Sequence, residues 1–440
     1  MNAEDLINIV PALTPYKWFG KVTRVVGLTI ESKGPQASIG DLCYILVGKS
    51  QEQTKVKAEV VGFRDEHVLL MPLNGIMDIS PGCLVEATGK PLEIKIGTGL
   101  IGHVIDGCGE LMSEGSLPKG LNSFPTDNPP PNPLARPRIH EKMSLGVRAI
   151  DSLFTVGKGQ RIGIFAGSGV GKSTLLSMLV KNSAADINVI ALIGERGREV
   201  KDFIERDLGE EGLAKSILVV ATSDQPALMR IKGAMTATAV AEYFRNQGLH
   251  VNLMMDSVTR FAMAQREIGL AVGEPPTSKG YTPSVFAMLP KLLERSGTDV
   301  RGSITAFYTV LVDGDDMNEP IADAVRGILD GHLVLDRTLA NKGQFPAINV
   351  LKSVSRVMAD IVNEPHKQAA DQVRSYLSTY TENEDLINIG AYKRGASKEI
   401  DEAILMYPKV INFLKQSTTE ETTIDQSIER LLEEFSKGGN

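Results

Sequence analysis

The chain has 440 residues, 42% of them hydrophobic and 23% charged, enough to bury cores for two or three domains. Its net charge of −7 argues against a dedicated nucleic-acid binder, which needs a basic face. The start, Met1-Asn2-Ala3-Glu4-Asp5, is acidic where a signal peptide is basic, and no run nears the ~18 apolar residues of a membrane helix; both predict a cytoplasmic protein with peripheral membrane contact only.

From about residue 20 to 95 the chain holds short β-prone runs: Lys21–Ile30, Lys55–Val61, His67–Met71, Cys83–Ala87 and Leu92–Ile96. Turn formers such as Leu73-Asn74-Gly75 and Ser80-Pro81-Gly82 separate them, a spacing that predicts a small all-β barrel or sandwich. Cys43, Cys83 and Cys108 show neither C-x-x-C pairing nor metal-ligand spacing with the histidines, and read as reduced thiols. Gly97-Thr98-Gly99-Leu100-Ile101-Gly102 fits the dinucleotide pattern G-x-G-x-x-G, but another extended run, His103-Val104-Ile105-Asp106, follows it. A phosphate there would lack its helix terminus, so the motif is read as a decoy. Six prolines lie between Phe124 and Pro137, a composition that suits either an extended linker or an ordered surface loop.

From Gly159 to about Val362 strand and helix alternate. Apolar strands are expected at Ile162–Phe165, Val189–Ile193, Ile217–Ala221, Leu249–Met255 and Ile304–Val312, with helices starting near Arg198 and Pro226. Continuous apolar strands between helices predict a mainly parallel sheet covered on both faces. The last ~75 residues read as helical, ending in a stripe of Ile424, Ile428, Leu431, Leu432 and Phe435 behind Thr423 and Asp425 as caps.

Within this α/β region, Ala166-Gly167-Ser168-Gly169-Val170-Gly171-Lys172-Ser173-Thr174 sits between the first strand and the helical run Leu175–Val180. Strand, glycine-rich loop and helix in that order make a phosphate-binding P-loop. Its N–H groups converge on phosphate oxygens at the positive end of a helix. Lys172 can reach the β- and γ-phosphates, and the Ser173 hydroxyl can ligate Mg²⁺. Ala166 stands where the motif opens with glycine.

Three further positions bear on hydrolysis. Asp256 ends an apolar strand, where a carboxylate can hold Mg²⁺ through water or merely cap the next helix. Glu195, in Gly194-Glu195-Arg196-Gly197-Arg198-Glu199, follows another strand and can orient or deprotonate a water. Its neighbour Arg196 could contact a terminal phosphate, or both could belong to a surface charge cluster. Ser353-Val354-Ser355-Arg356-Val357 puts a lone arginine in a polar break, but chemistry alone does not single it out.

Taken together, GERGREV (Gly194–Val200), MMDSVTRFAMAQREIGLA (Met254–Ala271) and EPPTSKGYTPSVFA (Glu274–Ala287) resemble the rotary-type hexameric ATPases. YTVLVDGDDMNEPIADAVRGILDGHLVLDR (Tyr308–Arg337), with Gly20–Asp41 and Asp385–Ile404, resembles their type III export branch, most of all its flagellar members. The resemblance implies a β-barrel in residues 1–92, a RecA-like ATPase domain in 93–365 that absorbs the proline-rich stretch as a loop, and a helical domain in 366–440. It implies Mg²⁺-dependent ATP hydrolysis that energises flagellar protein export. The injectisome ATPase is the nearest alternative, a synthase subunit or a Rho-like RNA translocase more distant ones.

Residue by residue, the resemblance makes Lys172 and Ser173 the phosphate lysine and Mg²⁺ ligand, and Asp256 the magnesium-strand aspartate. It makes Glu195 the catalytic glutamate, Arg356 an arginine finger for a neighbouring subunit, and Phe345 the ring that packs on adenine. The implied partners are five further copies in a homohexamer, a stator-like regulatory protein, a coiled-coil stalk protein, export chaperone–substrate complexes and the membrane export gate. The implied place is the cytoplasmic face of the inner membrane at the flagellar base.

Overall fold

A computed structural model describes residues 18–48, 53–75, 78–312 and 316–436. The acidic start Met1–Asp5 lies outside them. The first module is a closed barrel of β1 (Phe19–Val26), β2 (Thr29–Lys33), β3 (Leu42–Val47), β4 (Thr54–Arg64), β5 (His67–Pro72) and β6 (Leu84–Ala87), in the order β1-β2-β5-β4-β3-β6. Alternate residues point inward, so Val22, Ile30, Ile45, Val60, Leu70 and Val85 fill its core.

Two sequence expectations change here. The run Lys21–Ile30 is a hairpin rather than one strand: Val26 pairs with Thr29 across a tight turn that Gly27 makes at φ +56°. The run Leu92–Ile96 is not part of the barrel. It forms β7 (Glu93–Ile96); next along the chain come β8 (Val104–Ile105) and β9 (Asn122–Pro125), and β9 pairs with β7 as a separate two-stranded ladder. Between β7 and β8 the decoy glycines form a short 3-10 turn at Thr98–Leu100 and no α-helix.

The proline-rich stretch packs against the α/β core. Thr126 gives both its N–H (3.1 Å) and its hydroxyl (3.0 Å) to the Leu92 carbonyl. Arg136 donates to the Ser296 carbonyl at 2.9 Å, and the Pro137 carbonyl accepts from Thr298 at 2.7 Å.

The middle of the chain then alternates. In order come α1 (Arg148–Leu153), β10 (Arg161–Ala166), α2 (Lys172–Asn182), β11 (Ile187–Ile193), α3 (Gly197–Asp202), α4 (Gly209–Ala214) and β12 (Ser216–Ala221). After them come α5 (Ala227–Asn246), β13 (His250–Asp256), α6 (Val258–Val272), α7 (Pro283–Leu293), β14 (Gly297–Thr298), β15 (Ser303–Leu311), α8 (Pro320–Ile328) and β16 (Gly331–Leu335). Last are α9 (Arg337–Asn341), β17 (Val354–Ser355) and α10 (Met358–Ile361).

The sheet order is β17-β16-β10-β15-β13-β11-β12-β8, parallel except at β17 and at β14, which pairs with β15 off that path. Every residue of β11 and β12 is buried, as expected of strands sandwiched between helices. The register aligns the carboxyl ends: Ala166 faces Leu311, Met255 faces Tyr308 and Asp256 faces Leu192. Such an edge is where open α/β sheets bind ligands.

The third module is α11 (Glu364–Asn388), α12 (Lys398–Leu414) and α13 (Ile424–Phe435). Thr423 caps α13 in a reciprocal box with Gln426, and the apolar stripe packs inward, with the Phe435 ring 5.4 Å from that of Phe413. Buried Arg148 fastens this module to the core. It donates to the Phe413 (3.0 Å) and Lys415 (3.2 Å) carbonyls and pairs with Glu420. Among the described residues no helix is long and apolar enough to cross a membrane.

Candidate active site

The loop after β10 turns at Gly169 (φ +77°) and Gly171 (φ +89°), conformations that glycine adopts without steric cost. Gly171 caps α2, so the helix opens with Lys172 and the exposed hydroxyls of Ser173 and Thr174. Lys172 reaches back over the sheet edge. Its Nζ lies 2.5 Å from Asp256 Oδ1 and 3.6 Å from Glu195 Oε1. Three strand ends thus meet at one ammonium group.

Glu195 is where it is because β11 stops at Gly194, whose φ of +72° turns the chain sharply. A β-carbon on Gly194 would lie 2.7 Å from the Arg260 side chain of α6, so only glycine lets the two segments close up. Burial raises the Glu195 carboxyl to about 7, helped by the Asp256 charge and opposed by Lys172. Burial pulls the Lys172 ammonium down, but Asp256 and Glu195 together outweigh it and leave its pKa above the ordinary value. A carboxyl poised near neutrality beside a phosphate loop can accept a proton from water.

Phe345 lies at the mouth of the loop, 47% exposed. A β-carbon on Gly171 would meet its ring at 3.5 Å. Its carbonyl accepts the N–H of Gln416 at 2.9 Å, which ties the ring to the third module. The exposed ring face next to the phosphate loop can stack on a base.

Two of the predicted residues are not brought to this cluster. Arg196 points outward, 69% exposed, and pairs with Glu199 of its own helix at 3.0 Å. Arg356 follows β17, whose Ser355 pairs with Gly331 at the start of β16. Its N–H donates to the Asp330 carbonyl at 3.0 Å, and the Asp330 carboxylate takes the N–H of Arg161, also at 3.0 Å. Arg356 therefore sits at the opposite end of β10 from the phosphate loop, exposed, with its guanidinium on the Arg326 carbonyl at 3.3 Å.

Arg260 is a residue that sequence reasoning passed over. It lies in an ordinary amphipathic helix, but its buried Nε has no partner among the described residues. An unpaired guanidinium nitrogen beside Gly194 fits an anion in the crevice. The available signal was a glycine at a strand end facing a helix that opens with Ser257 and carries an arginine in its first turn. Arg337, which donates to the Ser168 carbonyl at 3.3 Å, was also unforeseen.

Two stretches of the chain match models of one known family. Residues 146–355 match the ATP synthase alpha/beta family, nucleotide-binding domain, and residues 22–89 match the beta-barrel domain of the same family. The chain belongs to the ATP synthase α/β family.

Within that family its matches lie in the type III secretion branch, flagellar and injectisome alike. Residues 362–433 match the T3SS EscN ATPase C-terminal domain. The flagellum-specific ATP synthase of Bacillus subtilis (strain 168) is 66% identical over 431 residues, covering 98% of each chain. The type 3 secretion system ATPase of Sinorhizobium fredii is 50% identical over 410 residues, covering 93% of this chain and 90% of that one. The assembled ATPase EscN of enteropathogenic E. coli superposes with a TM-score of 0.89 at 46% identity, over 95% of this chain and 100% of that one. EscN in complex with its central stalk EscO superposes at 0.87 with the same identity and coverage.

Proposed function

We propose that this ATPase hydrolyses Mg·ATP to energise export of flagellar proteins, and that it does so as a homohexameric ring whose sites are completed across subunit contacts. The observation that carries this reading is the division of the machinery: Lys172, Glu195 and Asp256 gather at one end of β10, and Arg356 is exposed at the other. A single subunit then cannot bring its own Arg356 to its own γ-phosphate. A ring supplies that arginine from the next copy, as the assembly of the EscN relative suggests.

In this reading the backbone of Gly167, Ser168, Gly169, Val170 and Gly171 cradles phosphate, with Ala166 and Thr174 at either end of the loop. Lys172 leaves Asp256 for the phosphates, Phe345 stacks on adenine, and Arg260 meets the phosphate tail. Among the described residues no cluster of three His, Cys, Asp or Glu could hold a metal unaided. Mg²⁺ keeps water and phosphate ligands and asks few of the protein, and the exposed Ser173 hydroxyl and the Asp256 carboxylate beside the loop are the oxygens that fit it. Ser173 would bind it directly and Asp256 through its waters; when bound, it neutralises charge on the β- and γ-phosphates. Glu195 holds the attacking water and takes its proton. Arg196 has a role only if α3 shifts on nucleotide binding.

A stalk protein, as seen with EscN, is the first expected partner. A stator-like regulator, chaperone–substrate complexes and the membrane export gate follow from the export role, at the cytoplasmic membrane face. The test is ATPase rate against protein concentration, with light scattering on the same samples. Specific activity should rise steeply as rings form by mass action. Constant specific activity from monomer to ring would refute shared sites.

A further inference from the structure

We propose that Thr309 is a positioning residue for the magnesium-side carboxylate, holding Asp256 in place while Lys172 is engaged with phosphate. The proposal rests on the role of Asp256 given above and adds a residue to that site.

Thr309 interrupts an otherwise apolar stretch of β15, Ala306-Phe307-Tyr308 on one side and Val310-Leu311 on the other. It is fully buried, and a buried hydroxyl is costly unless hydrogen-bonded. Two acceptors on β13 lie within reach: Asp256 Oδ1 at 2.7 Å and the Met255 carbonyl at 3.2 Å. A hydroxyl has one proton to give, and the shorter bond to a charged acceptor is the stronger. A β-branched side chain in the middle of a sheet has little χ1 freedom, so this donor is fixed in place.

The same oxygen, Asp256 Oδ1, also takes the Lys172 ammonium at 2.5 Å. The two donors differ in kind. Lys172 is a flexible chain whose task in the reading above is to follow the phosphates, whereas Thr309 belongs to the rigid floor of the site. Once Lys172 turns to a nucleotide, Thr309 is the donor that keeps Oδ1 facing the sheet. The other carboxylate oxygen is then the one offered to the metal's waters. Without the hydroxyl the Asp256 side chain gains rotamer freedom when Lys172 departs, and the second shell of the metal loosens.

Thr309→Val removes the hydroxyl at nearly constant volume, and Thr309→Ser keeps it. Binding of the fluorescent nucleotide mant-ADP is titrated in EDTA and across a range of free Mg²⁺, with melting temperature measured on the nucleotide-free protein. Thr309→Val should bind mant-ADP in EDTA like the parent but need at least roughly tenfold more Mg²⁺ for the metal-dependent gain in affinity, and kcat should fall in step. Thr309→Ser should restore both. An unchanged Mg²⁺ requirement in Thr309→Val would overturn the proposal, as would Thr309→Ser behaving like Thr309→Val. If Thr309→Val does not fold, Thr309→Ala carries the same comparison. Asp256→Asn separates the two levels. If it leaves the Mg²⁺ requirement untouched, the role of Asp256 is wrong; if it shifts the requirement and Thr309→Val does not, only the Thr309 inference falls.

Discussion

Glu195→Gln and Arg356→Ala should each be nearly inactive alone, yet regain activity when mixed. The magnitude follows from where Arg356 sits. It is tied through Asp330 to the first residue of β10, and the phosphate loop begins after the last. Five residue steps at about 3.3 Å each put roughly 16 Å of strand between them, too far for one side chain to bridge. Under the shared-site proposal Arg356 serves the neighbouring subunit's site, so its loss should cost about 10³-fold or more in turnover. In rings assembled from equal amounts of both variants, about a quarter of contacts join an intact Glu195 to a neighbour's intact Arg356, since a finger in trans needs one good residue from each side. Steady-state phosphate release should thus recover toward a quarter of the parental rate, with scattering to show that mixed oligomers form. Mixed rings that stay as inactive as either parent variant would refute completion of the site across the contact.

Other outcomes follow from single residues. Lys172→Ala should abolish turnover and weaken nucleotide binding by roughly tenfold or more, the worth of a charged hydrogen bond to phosphate; substantial hydrolysis by this variant would remove Lys172 from its role. Because burial lifts Glu195 to about 7, its base form is gained as pH rises, so kcat/KM should climb through neutrality. A pH profile without that rise would count against Glu195 as the base. Burial lowers His250 to about 4, so acid protonates the unfolded chain first and stability should drain as pH falls from about 6.5 toward 4. His250→Asn should lose less melting temperature over that interval, as calorimetry would read directly.

The alternation of apolar strands and helices could be read from residues alone because the central strands, β11 and β12 above all, are buried on both faces and lie between helical patterns. β3 is not legible in the same way: Leu-Cys-Tyr-Ile-Leu-Val is a six-residue apolar run without period-2 alternation, and no flanking helix pattern marks it as a strand. β17 is two residues long, below what any periodicity can report, yet it fixes the far-end position of Arg356. Glu195 and Asp256 were legible as charges closing apolar runs. Arg260 and Thr309 were not, since their meaning lies in what packs against them, Gly194 against a helix for one and Asp256 on the next strand for the other. The outward turn of Arg196 was equally hidden, because it depends on Glu199 one helical turn away.

The ladder between β7 and β9 changes how the barrel is carried. The chain leaving the barrel is stitched along Glu93–Ile96 to a segment that returns later, at Asn122–Pro125, and Thr126 bolts the end of that seam to Leu92. Buried Lys232 of α5 adds a second anchor through its ion pair with Glu59 of β4. Two anchors make a bracket where a plain linker would make a tether. Turning the barrel against the core sheet therefore has to break the seam or the ion pair.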